Sequence, residues 1–117
     1  MTERELNAIL MDTFPELKAE LAFYIEEEGD GMDTGCFLAH EDILRPFIDE
    51  ALRNGDRQTL KQVGAYIEHL LDLGDEYAEN VVIVGLIEWL ALERADAATR
   101  IPLGPKARML LTEYSNY

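Results

Sequence analysis

The chain has 117 residues, 48% of them hydrophobic, and carries 24 Asp and Glu against 10 Lys and Arg, a net charge of −14. That length suits one domain spanning residues 1–117, and the hydrophobic fraction suits a folded globule with its own core rather than a disordered acidic tail. The charge has the wrong sign for nucleic acid or an anionic membrane surface, and no apolar run approaches bilayer length.

Hydrophobic spacing is helical throughout and predicts an all-α fold, a compact bundle of five to six helices, with stacked helical hairpins as one arrangement. Thr2 and Glu5 form a capping box for a first helix with Leu6, Ile9 and Leu10 inward. Phe14-Pro15-Glu16-Leu17 restarts the chain, proline being suited to a first turn. A second helix follows to about Glu27, with Leu17, Leu21, Tyr24 and Ile25 on one face. Gly29, Gly31 and Gly35 then mark a loop.

A third helix runs from near Leu38 to near Arg53, and Pro46 inside it predicts a kink or a later start. Gly55 ends it and Asp56 caps a fourth helix, with Leu60, Val63, Ile67, Leu70 and Leu71 inward. Gly74 closes that helix and Asp75 opens a fifth. The fifth is apolar nearly all round from Val81 to Leu90, as befits a central element. Its β-branched residues also allow a strand, but length and flanking acids favour a helix. Pro102, Gly104 and Pro105 punctuate the last linker before a sixth helix with Ala107, Leu110, Leu111 and Tyr114.

No motif for catalysis, a metal or a cofactor emerges. Cys36 and His40 are four apart, but two ligands do not make a zinc site. The lone cysteine permits no internal disulfide and fits a cytoplasmic setting, as does a start without a signal peptide. His69 and Asp72 lie on one helix face with no nucleophile motif beside them. Glu28-Gly29-Asp30-Gly31-Met32-Asp33 lacks calcium-loop spacing. Glu88 interrupts the apolar fifth helix and is expected either on a narrow exposed strip or paired with Arg94 or Arg108, since a buried lone carboxylate is costly.

The acids are the informative feature. From Ala19 to Leu44 there are eight and no Lys or Arg; from Gln62 to Glu93 there are seven more, again without one. Many favour helix N-termini, including Glu16, Glu41, Asp42, Asp75, Glu76 and Glu79. Glu26, Glu27 and Glu28 stand at a helix C-terminus, where acids are unfavourable, and Asp30 and Asp33 extend them. These five form the first expected partner-binding surface. Glu68, Asp72, Asp75, Glu76 and Glu79, around the turn between the fourth and fifth helices, form the second.

The order Phe14-Pro15-Glu16-Leu17, Phe37 through Phe47, Tyr66-Ile67-Glu68-His69-Leu70, Glu79-Asn80-Val81-Val82 with Glu88, and Leu103-Gly104-Pro105 resembles a group of small bacterial helical proteins of uncharacterised function associated with toxin–immunity loci. The resemblance runs from about Phe14 to Leu111 and rests on packing and capping residues, so it supplies no catalytic residues. With the small size, the absent active-site motif, the helical pattern and the localised acidity, the leading expectation is a non-enzymatic immunity (antitoxin) protein whose acidic surface blocks a cognate basic toxin, such as a nuclease. The alternatives are an acidic nucleic-acid mimic or phage-type inhibitor of basic proteins, and a small enzyme using His40 or His69. A structural subunit is a further reading, with Phe23, Ile83 and Ile87 as the apolar residues to expose.

Overall fold

Local capping sets several of the helix ends among the described residues. A computed structural model describes residues 1–28 and 36–115, with the backbone alone described for 25–28. Helix α1 (Glu3–Thr13) starts where the Thr2 hydroxyl accepts the Glu5 N–H at 3.1 Å. A 3₁₀ turn, Pro15–Leu17, leads into α2 (Lys18–Glu28). Helix α3 covers 36–54, and its C-cap Gly55 takes the left-handed conformation, φ 63°, that lets the chain turn back. Asp56 then accepts the Thr59 N–H and opens α4 (Arg57–Asp72). Gly74 (φ 65°) makes the second reversal, and Asp75 caps α5, which covers 76–92. A one-turn helix α6 (Ala95–Ala98) precedes α7 (Pro105–Ser115).

The described residues are thus helical without a strand, in seven helices around one continuous apolar cluster. The radius of gyration is 13.4 Å, the size expected for a compact domain of this length. Helix α5 is central: Val81, Val82, Leu86, Ile87 and Leu90 are buried, and it packs on α4, on α7 and on the first part of α3. Gly64 of α4 lies against the linker, where a methyl group would come 2.3 Å from the Pro102 carbonyl oxygen.

Two features differ from the sequence expectation. Helix α6 is additional, too short for a periodic apolar pattern to announce. The helix carrying Pro46 begins at Cys36 rather than later than Leu38, and a wide π-helical segment, His40–Leu44, precedes the proline. Pro46 has no N–H and its ring crowds the carbonyl four residues back, so the preceding turn loosens. The Arg45 N–H accordingly bonds five residues back to His40. A second π segment, Ile83–Ile87, interrupts α5 opposite the first. Such widened turns are rare in helices and concentrate at functional sites.

Candidate functional site

The two π segments meet at Gly85. A methyl group placed there would lie 3.1 Å from the His40 Cβ, so the absent side chain is what lets α5 and α3 approach. On the inner side of this contact His40 is fully buried. Its Nδ1 donates to the Cys36 carbonyl at 2.8 Å, and its Nε2 accepts the Tyr66 hydroxyl at 2.7 Å. That pairing assigns the neutral Nδ1–H tautomer, because a backbone carbonyl can only accept. Burial pushes the imidazole down to about 4 and raises the Tyr66 phenol and the Cys36 thiol, the latter to about 12. Both ring nitrogens are therefore occupied and the ring stays uncharged near neutral pH.

On the outer side the chemistry is ionic. Arg45 donates through Nε to the Gly85 carbonyl at 2.7 Å and through Nη2 to the Val84 carbonyl at 3.3 Å. Its guanidinium lies 5.5 Å over the Trp89 ring, within cation–π range. Glu41 stands 3.9 Å from the same guanidinium. A shallow groove of about 230 Å³ follows, lined by Glu41, Arg45, Glu88, Trp89, Leu92 and Glu93. Leu92 is 60% exposed at its edge, and Trp89 forms an apolar wall.

The expected partner for Glu88 is not found. Arg94 bonds instead to Asp49 and Asp96, and Arg108 donates to the Leu103 carbonyl. Glu88 is half-buried, and neither it nor Glu93 has an ion-pair partner among the described residues. The sequence signals for this groove were the i,i+4 pair Glu41–Arg45 and the carboxylate beside the tryptophan at Glu88-Trp89. What sequence reasoning missed is that two helices forty residues apart bring them together.

The first expected acidic surface is only partly located. Glu26, Glu27 and Glu28 end α2, with their side chains outside the described residues, and Asp30 and Asp33 lie outside them altogether. The second surface is gathered around the α4–α5 turn, but much of its charge has internal work. Glu68 reaches across to α7, where its Oε1 accepts the Lys106 N–H at 3.3 Å and its carboxylate fills the space left by Gly104. It therefore acts as a side-chain cap from another helix. Asp72 pairs with Lys106 at 3.0 Å. Asp75 caps α5 and holds the Met1 ammonium at 2.7 Å; that bond lowers the carboxyl and raises the amine. Glu76 and Glu79 remain, beside Gly74, Asn80 and Ile83 on a shallow depression.

His69 is exposed, while Cys36 is buried four residues before His40. No group of three or more His, Cys, Asp or Glu suited to a metal occurs among the described residues. Of the apolar residues watched for a contact face, Phe23 is 67% exposed, Ile83 is half-buried and Ile87 is buried. No described helix is long and apolar enough to cross a membrane.

A family model, a domain of unknown function (DUF7674), matches residues 7–113. No curated protein and no solved structure gives a significant match. The chain belongs to the DUF7674 family.

Proposed function

We propose that this DUF7674 member is a protein-binding domain that captures a basic partner in the groove between the two π segments. The observation that carries this reading is the pair Glu88 and Glu93, two carboxylates with no ion-pair partner among the described residues, set beside the Trp89 wall and the exposed Leu92. Carboxylates without an ion-pair partner beside the exposed Leu92 suit a cationic side chain with an apolar stem. Arg45 is already committed to the Val84 and Gly85 carbonyls and to the indole, so it organises the groove rather than cancelling it.

In its more specific form the reading is an immunity protein that neutralises a basic bacterial toxin by covering its substrate groove, working in the cytoplasm. The resemblance to proteins of toxin–immunity loci supports the toxin. The net charge of −14 supports rapid capture, with association rising toward ~10⁸ M⁻¹s⁻¹ at low salt. Glu76 and Glu79 supply further acidity at the α4–α5 turn.

The test is co-purification from the native cell with the wild-type chain and with a Glu41→Gln, Glu88→Gln, Glu93→Gln variant. One stoichiometric basic protein, toxic alone, harmless with the wild type and released by the variant, is the expected result. A partner held equally by both chains would remove the groove from the reading. A partner with no toxicity would remove the immunity form.

A further inference from the structure

A concavity elsewhere on the described surface is lined by the opposite charge. A cleft of about 430 Å³ runs between the start of α4 and the 99–102 linker, and Arg57, Lys61, Arg100 and Arg108 line it. Four of the ten Lys and Arg residues of a chain of charge −14 are thus gathered at one place. None of the four has a carboxylate within ion-pair distance among the described residues.

The acids nearest in sequence are turned elsewhere. Asp56 accepts from the Thr59 N–H and hydroxyl, which holds its carboxyl below the usual range. Asp96 is taken by Arg94. Two of the guanidiniums are held by backbone: Arg100 donates through Nη2 to the Leu52 carbonyl at 2.9 Å, and Arg108 through Nε to the Leu103 carbonyl at 3.0 Å. Each keeps further N–H donors, since guanidinium carries five in a planar fork. Leu60 and Ile101, both nearly fully buried, make the apolar floor, and Pro102 lies beside them.

From this arrangement we propose that the cleft binds a small organic phosphate, a dianionic phosphate ester whose apolar or planar body rests on Leu60, Ile101 and Pro102. Three arginines and a lysine supply more positive charge than a monocarboxylate would neutralise, and planar guanidinium forks match phosphate oxygens in bidentate fashion. The volume lies within the range of small-molecule sites. The overall charge repels a long polyanion, so a small ester is favoured over a nucleic acid strand.

The probe is phenyl phosphate, titrated into the full ¹⁵N-labelled chain at low salt beside inorganic phosphate and phenol. The expected result is a Kd below about 1 mM for phenyl phosphate, with shifts confined to the amides around Arg57, Lys61 and residues 99–102. Inorganic phosphate binds there more weakly, and phenol not at all. A variant with Arg57→Gln and Lys61→Gln, both exposed positions, weakens phenyl phosphate at least about tenfold while its circular dichroism stays unchanged. No saturable shift below ~10 mM, or equal affinity in the variant, overturns the proposal. A single-stranded oligonucleotide that binds the cleft more tightly than phenyl phosphate also overturns it, in favour of nucleic acid. The Gln variants of Glu41, Glu88 and Glu93 leave this binding intact, so it stands or falls separately from the acidic groove.

Discussion

The paired π segments present two unlike sides. Inward, His40 and Tyr66 are neutral, buried and matched donor to acceptor. Outward, Arg45 anchors to backbone and indole while Glu88 and Glu93 stand without an ion-pair partner among the described residues. One close contact, Gly85 against His40, serves both. The difference separates stability from recognition. A buried polar network contributes to folding only when fully satisfied, whereas exposed charge adds little to stability and stays available to a partner.

Acid breaks the inner side with the largest effect. His40 titrates at about 4 in the folded chain, against an ordinary value of 6.5 in the unfolded one. The unfolded state therefore binds the proton first as pH falls. Stability is full above pH 6.5, declines between 6.5 and 4 and levels off below 4, for a loss of about 3 kcal/mol from this group. Urea melts across that range check it, and a His40→Phe variant should lack the slope.

Next comes Gly85→Val. The added branch meets His40 at the crossing of α3 and α5, and overpacking of this kind costs about 2 kcal/mol. Thermal unfolding reads the loss. Tyr66→Phe is milder, roughly 1–2 kcal/mol, because it leaves the His40 Nε2 acceptor unpaired in the core. The same variant should move the imidazole resonances of His40 in NMR spectra.

The smallest stability effect belongs to the outer side. Glu88→Gln should change unfolding by less than about 0.5 kcal/mol, since no ion pair is broken. Its consequence falls on association with a basic partner and on the salt dependence of that association, both measurable by stopped-flow mixing. A large stability loss on Glu88→Gln would erase the distinction between the two sides.

The helix ends were legible in the sequence because caps are local. Thr2, Asp56 and Asp75 each bond an N–H three residues on, and Gly55 and Gly74 take the left-handed turn. The core residues of α4 followed from periodicity for the same reason, while α5 was marked as central by its nearly all-round apolar run. The candidate site was less legible because its contacts are not local. His40 and Tyr66 are 26 residues apart, and Arg45 reaches a carbonyl 40 residues away. Pro46 announced a kink or a later start, but the π segment before it and the Gly85–His40 contact depend on packing between distant stretches of chain. Glu68 read as surface charge because its actual use, at the start of α7, depends on the crossing at Gly104.

The central claim is that the groove beside Trp89 receives a basic protein. The most direct test is to place a photo-crosslinking residue at Leu92, and separately at Glu76, and irradiate both chains in the native cell. The account predicts that position 92 captures one basic protein, and that adding the Gln variants of Glu41, Glu88 and Glu93 abolishes that capture. Capture from position 76 alone, or capture at 92 that survives the Gln variants, would contradict it.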